Sequence, residues 1–393
     1  MTFASMVASL RAAPEQIDRI DAVIDAAIHS GPADEDVAEF ADLLGRSGDL
    51  LPPNPGATDI ASTGGPGSLT TLLSPLQCRA AGMEVRKVTV PGRPAGSIDV
   101  LGCVPGYSAD LAPDEALLAL SRSGYVQLMA GKHWAPLDSR IFTRRQELNA
   151  QAVAPLVIGS ILAKKVCAGL SSFALDVRVA PYGNFGKSVS EAAENVGRLT
   201  SVASLLGIEA RCCLSDGAAL AQPYVGRGEA LLALDALTAN ADVKDQWLTE
   251  HARECQSLAH LATGIDLDPA PQRVRAALLE HLTAQGATAE AWTAAVARVR
   301  SHPTFEIRAL DDGLAEFDIG VLRTIIVNIQ RRRSSPSAAF SDPVGVVLNC
   351  RPGQSVRRRE PLAAVRIAPG VDGVDRILED FRSAIGIERP GGS

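Results

Sequence analysis

The feature that most constrains this chain is an alternation that begins at Thr58 and runs to Leu214. Val85, Val88 and Val90 predict a strand, Asp114 to Ser121 a helix, and Tyr125 to Met129 a strand. Two helices follow, about Ser139 to Gln151 and Pro155 to Ala168. Pro155 suits the first turn of its helix, where an N–H has no intrahelical partner to lose. Phe173 to Val179 then predicts a strand, Ser188 to Leu206 a helix and Glu209 to Leu214 a strand. Such alternation buries its apolar residues as a sheet layered with helices, so the fold class is α/β.

The flanks read differently. Ile17, Ile20, Val23, Ile24, Ala27 and Ile28, then Val37, Phe40, Ala41 and Leu44, recur at helical spacing. Leu51-Pro52-Pro53-Asn54-Pro55-Gly56 cannot continue a helix and reads as a linker. Helices dominate again from about Val243 to Arg300. Val344 to Cys350 and Leu362 to Ile367 flank the turn Arg351-Pro352-Gly353-Gln354 as a strand pair, and a last helix falls near Val374 to Ala384.

Bulk properties remove several function classes. The formal charge is −7, and aromatics are 4% of the chain, against a nucleic-acid partner that needs phosphate neutralisation and base stacking. Apolar runs break well before the length of a membrane span, so no membrane partner is expected. Met1 to Pro14 lacks the basic and apolar regions of a signal peptide, which leads us to expect a cytoplasmic protein. Seven cysteines without CxxC spacing argue against a disulfide framework or a structural zinc. No metal-ligand cluster and no cofactor motif is read.

Three segments can carry chemistry. Asp59-Ile60-Ala61-Ser62-Thr63-Gly64-Gly65-Pro66-Gly67-Ser68-Leu69-Thr70-Thr71 places glycines and hydroxyls at the mouth of a helix, where backbone N–H groups converge on an oxyanion. Taken alone it reads equally as a tight turn, and it lacks the Gly-Lys-Ser/Thr ending of a Walker loop. Pro91-Gly92-Arg93-Pro94-Ala95-Gly96-Ser97-Ile98-Asp99 follows a strand on the same sheet edge and adds Arg93 and Ser97; it too can be a simple turn, with Asp99 as cap. Gly159-Ser160-Ile161-Leu162-Ala163-Lys164-Lys165 stacks Ser160 and Lys164 on one helix face and turns Lys165 toward solvent. Lys164 can equally be a snorkelling side chain. Arg144 and Arg145, one helix earlier, reach the same face if the two helices pair.

Together these segments resemble the thymidine/pyrimidine nucleoside phosphorylases, and more loosely the anthranilate phosphoribosyltransferases that share their fold. The likeness runs from about Ala38 to Ile385. It is strongest in Asp59 to Gly65, Ala135 to Arg145, Pro155 to Gly169 and Leu175-Asp176-Val177-Arg178-Val179. It implies a small all-helical lobe, residues 1–50 and 138–169, and a large α/β lobe with a mixed sheet, residues 56–131 and 172–335. A C-terminal α/β subdomain spans residues 336–393. It also implies a pentosyltransferase acting on a nucleoside or base, with phosphate or a sugar phosphate as partner, and a homodimer. Arg145, Ser160 and Lys164 take the base-binding positions, with Arg145 and Lys164 as catalytic cations. Ser62, Thr63, Gly65, Thr71 and Ser97 take the anion-side positions.

The departures are as informative. The family's Asp-Lys-His-Ser-Thr-Gly-Gly has Ile60 and Ala61 here in place of its lysine and histidine. Pro91 replaces an anion-side serine, the loop from Arg93 to Ser97 is short, and Ile329-Gln330-Arg331-Arg332-Arg333 replaces a triglycine-type turn. Arg93, Lys132 and His133 are the candidate substitute cations. The expectation is a base–pentose glycosyl transfer with a degenerate phosphate site. Two alternatives stay open: an acceptor other than inorganic phosphate, and a silent nucleoside-binding protein.

Overall fold

Three helices open the chain, α1 (Phe3–Ala12), α2 (Ile17–His29) and α3 (Asp34–Gly45). The helix α1 is an addition to the two N-terminal helices expected, with Phe3, Met6, Val7 and Leu10 as its buried stripe. The structure is a computed structural model and describes residues 2–65, 67–92, 94–239, 243–332 and 340–388.

The alternating region follows as β1 (Ala57–Thr58), β2 (Ile60–Ser62), α4 (Thr70–Ala80), β3 (Glu84–Thr89), α5 (Ser97–Leu101), α6 (Pro113–Ser123) and β4 (Tyr125–Met129). After α7 (Pro136–Glu147) and α8 (Ala154–Cys167) it resumes with β5 (Ser172–Val179), α9 (Val189–Leu205) and β6 (Glu209–Asp216). All pairings here are parallel: β1–β3–β4 on one side and β2–β5–β6 on the other. Asp59 joins the halves, its carbonyl accepting the Ala174 N–H at 3.0 Å. Val85, Val88 and the β5 run Phe173 to Val177 are buried, as expected for strands covered on both faces.

The helices α1, α2, α3 and α7 and the first part of α8 share one apolar cluster built on Phe3, Ile20, Ile24, Phe40, Leu137 and Leu156. Two glycines let α3 and α8 meet closely. A Cβ on Gly159 would lie 2.5 Å from Cδ1 of Phe40, and one on Gly45 would lie 2.7 Å from the Ala163 carbonyl oxygen. Leu175 and Val177 of β5 pack with Ile158 and Leu162 of α8, so α8 covers the opposite sheet face from α4.

The rest comprises β7 (Tyr224–Val225), α10 (Arg227–Thr238), α11 (Gln246–Thr263), α12 (Pro271–Ala284), α13 (Ala289–Ser301), β8 (Thr304–Arg308), β9 (Gly313–Phe317) and α14 (Ile319–Arg332), then β10 (Val344–Leu348), β11 (Ser355–Val356), β12 (Pro361–Ile367), α15 (Val374–Ala384) and β13 (Ile385–Glu388). The expected strand pair is present: β10 and β12 run antiparallel, with Val344 opposite Ile367. Their sheet also takes in β7 and β8, which come earlier in the chain than residue 336. Parallel and antiparallel pairings together make this the mixed α/β fold the sequence implies. Among the described residues no helix is long and apolar enough to cross a membrane.

Candidate functional site

On the helical side, α7 and α8 bring Ser160, Lys164 and Asp138 together. The Lys164 ammonium donates to Oδ2 of Asp138 at 2.6 Å, to the Ser160 carbonyl at 2.8 Å and to Ser160 Oγ at 2.9 Å. Its three donors are thus all engaged. Burial pulls the ammonium below its ordinary range, and the Asp138 carboxylate opposes that. The other Asp138 oxygen, Oδ1, is buried without a partner among the described residues. Arg145 is buried about two turns along α7 from Asp138 and spans the α7–α8 connection, donating to the carbonyls of Ala150, Gln151 and Leu156. Burial lowers its guanidinium to about 10, with Asp138 opposing, so it stays charged at neutral pH. The sequence shows the Ser160–Lys164 stacking; Asp138, on another helix, is the member it misses.

Lys165 is not solvated, which corrects the expectation for it. It is buried and pairs with Asp59, whose other oxygen accepts Lys87 Nζ at 3.1 Å. Lys87 also donates to the Ile60 carbonyl. Burial alone would push the Asp59 carboxyl up, but Lys165 and Lys87 hold it below its usual range. This pairing fastens α8 and β3 to the base of the glycine turn.

On the anion side the organiser is Asp176, buried on β5. Thr70 Oγ1 donates to its Oδ2 at 3.0 Å, Ser62 Oγ approaches the same oxygen at 3.4 Å, and Ser215 Oγ donates to Oδ1. Ser62 Oγ also accepts the Gly64 N–H at 3.2 Å. Thr63 Oγ1 accepts the Arg178 N–H at 2.9 Å, which ties the turn to the next strand. Gly64, Gly65 and Gly67 take φ of 96°, 144° and 70°, values that suit residues without a Cβ. His251 on α11 accepts the Leu69 N–H on Nε2 and contacts Glu254 through Nδ1, so its proton sits on Nδ1.

The other anion-side candidates scatter. Thr71 is half-buried beside Thr70, whose hydroxyl rather than its own meets Asp176. Ser97 is buried and accepts from Gln127 Nε2 at 2.5 Å. Asp99 binds the Gly92 N–H and Arg227, closing the second loop on itself. Lys132 is exposed, and His133 lies 3.2 Å from Asp49. Both follow β4, which pairs in the β1–β3–β4 sheet and not in that of β2. Arg93 and Arg333 lie outside the described residues. Ile329 to Arg332 end α14, where Gln330 donates to the Pro94 carbonyl.

A cavity of about 500 Å³ opens beside this cluster, lined by Thr70, Asp176, Arg178, Ser215, Leu220 and Trp247 among others. Arg145, Ser160 and Lys164 are not on its lining. Arg178 is the cation that sequence reasoning passed over. Its signal was Asp176-x-Arg178 inside an apolar strand, a spacing that puts both charges on one sheet face.

Helices gathered beside a parallel layer whose strand ends carry the glycine turn define a phosphoribosyltransferase-type fold. Anthranilate phosphoribosyltransferase from Thermus thermophilus matches 75% of this chain and 93% of its own, with TM-score 0.53 at 17% identity. The Saccharomyces cerevisiae enzyme, solved with PRPP and Mg, gives TM-score 0.50 at 12% identity over 75% of this chain and 89% of its own.

In sequence, the resemblance to the thymidine/pyrimidine nucleoside phosphorylases holds over most of the chain. A pyrimidine-nucleoside phosphorylase from Geobacillus stearothermophilus is 24% identical over 356 residues, 85% of this chain and 81% of the relative. A thymidine phosphorylase from Mesorhizobium japonicum is 28% identical over 349 residues, 83% of this chain and 78% of the relative. No family model matches the chain.

Proposed function

We propose that this protein is a cytoplasmic pentosyltransferase that makes or breaks the bond between a pyrimidine-like base and a pentose, with a degenerate site for free phosphate. The observation that carries this reading is the asymmetry between its two sides. Lys164 bonds Ser160 within α8, and Arg145 is buried on the neighbouring α7, while the family's phosphate-binding lysine, and its histidine near the sugar and base, are Ile60 and Ala61 here.

Glycosyl transfer passes through an oxocarbenium-like sugar, and negative charge builds on the departing base. In this reading Lys164 and Arg145 oppose that charge once a base displaces part of their internal bonding. On the other side, Ile60 donates nothing. Losing a charge-assisted hydrogen bond there weakens anion binding by roughly 1.5–3 kcal/mol. A phosphate carried on a larger molecule suffers less, because its remote contacts supply binding energy. The reading includes two lobes that close on each other and a homodimer joined through the helical lobe, where α2 leaves Ile17 and Ile28 half exposed on one face.

The test is release of free base from pyrimidine nucleosides with and without phosphate. Release that needs an acceptor, and is slow with inorganic phosphate, is the expected result; release with water alone marks a hydrolase instead. Saturable phosphorolysis at sub-millimolar phosphate refutes the degenerate anion site, and ligand binding without any turnover refutes the enzyme.

A further inference from the structure

Arg178 stands at the C-terminal end of β5 with its side chain almost fully buried. Its Nε and Nη2 have no partner among the described residues and do not reach solvent in this form. Two buried guanidinium nitrogens without partners are costly to hold, and such groups call for an explanation. These two nitrogens are the parallel pair with which arginine grips an oxyanion side-on.

The neighbouring acids do not supply the missing partner. Nη1 is 3.9 Å from Asp176 Oδ2, beyond hydrogen-bonding reach, and the Asp176 oxygens are already occupied by Thr70, Ser62 and Ser215. Of the other carboxylates on the cavity wall, Glu254 is bonded to His251 at 2.8 Å, Glu250 pairs with Arg351 and Asp216 accepts the Ala218 N–H.

We propose that Arg178 is the cation of the anion site, and that its Nε–Nη2 fork takes the phosphoryl group of a pentose phosphate. This rests on the transferase reading above and names the group that offsets Ile60. Ile60 faces Ala174 and Ser62 faces Asp176 in the parallel register, so residue 60, Asp176 and Arg178 share the α4 face of the sheet. A charge supplied from Arg178 therefore reaches the face that lost one. The glycine turn lies directly over the fork, since a Cβ on Gly65 would stand 3.6 Å from Nε. Gly65 is exposed and carries no side chain, so an entering phosphoryl group has only backbone to displace. The adjoining cavity, about 500 Å³, is the size of small-molecule sites and far larger than inorganic phosphate needs. Trp247 and Leu220 give it an apolar wall for the body of the ligand.

The test compares wild type with Arg178→Met and Arg178→Lys, using calorimetry and thermal unfolding with ribose 1-phosphate and ribose 5-phosphate as probes. Ribose and inorganic phosphate are the controls. Nη1 of Arg178 pairs with the buried Asp176 at 3.9 Å, while the two unpartnered nitrogens add nothing to the ligand-free fold, so Arg178→Met should melt below the wild type. It should bind the pentose phosphate roughly ten- to a hundred-fold more weakly. Arg178→Lys keeps the charge without the fork and should fall between the two. Binding is compared below each variant's own unfolding transition, with Arg178→Lys deciding where Arg178→Met does not fold. A pentose phosphate that binds the wild type no better than ribose overturns the proposal. So does wild-type affinity in either variant, or no binding of a pentose phosphate by the wild type. Base release read alongside separates the two claims: turnover with an unaltered KM for the sugar donor in Arg178→Met sinks the role of Arg178 and leaves the transferase standing. Absence of turnover in the wild type sinks the transferase, while pentose phosphate binding still answers for Arg178.

Discussion

Replacing Lys164 by Met should expose how the base side is held. The Asp138 side chain is wholly buried, its Oδ2 depends on Lys164 at 2.6 Å, and its Oδ1 has no partner among the described residues. Deleting the ammonium leaves a buried carboxylate with no cation within bonding distance. Stranding one half of a buried pair costs about 3–5 kcal/mol. Replacing both halves by apolar residues of similar volume is far cheaper, so Asp138→Leu combined with Lys164→Met should recover most of the loss. Urea unfolding followed by circular dichroism measures both variants against the wild type. A loss below about 1 kcal/mol in Lys164→Met would refute the buried pair. A double variant as unstable as the single one would show that packing, not charge, sets the cost. Affinity for a base must therefore be measured below the unfolding transition, where Lys164→Met is still folded.

Burial holds the His281 imidazole down at about 4, stacked 3.9 Å from the Tyr125 ring, against an ordinary 6.5. This stabilisation is complete above about pH 6.5 and is lost as pH falls toward 4, because only the unfolded chain takes up the proton there. It amounts to about 3 kcal/mol, and a His281→Phe protein whose stability falls just as steeply between pH 7 and 4.5 would count against it. Gly159→Ala should destabilise by about 1–3 kcal/mol despite alanine's better helix propensity, since its methyl would overlap Phe40; a gain in melting temperature would contradict the close α3–α8 contact. Gly67→Ala meets both a positive φ of 70° and Leu220 Cδ2 at 2.8 Å, so it should lose at least about 1 kcal/mol, read by the same urea titration.

The α/β layer was legible because its strands are buried on both faces and read as short apolar runs between helical periods. Where burial is partial the signal fades. In β8 only Ile307 is fully buried, and β7 is two residues long, so neither stands out from a loop. Lys165 was misjudged for another reason. Local spacing shows that it leaves the Lys164 face, but its partner Asp59 lies 106 residues away in the chain. No local pattern distinguishes a buried, paired lysine from a solvated one.

The anion side shows the same division between type and partner. Its hydroxyls were legible as a group, yet the carboxylate that collects Ser62, Thr70 and Ser215 lies on a different strand, and Ser97 turns inward to Gln127. Losing a lysine at residue 60 reads from sequence as the loss of a cation, because sequence alone assigns charge to positions. A sheet assigns charge to faces. Ile60 is fully buried in the apolar cluster beneath α4, which seals the floor of that face. Arg178, one strand across and beyond Asp176, holds two unpaired donors at its upper edge. Ile60 below and Arg178 above set an apolar floor under a cationic edge. A fork fixed by burial selects for an oxyanion presented at one angle, as on an anchored sugar phosphate, and discriminates against a freely tumbling one.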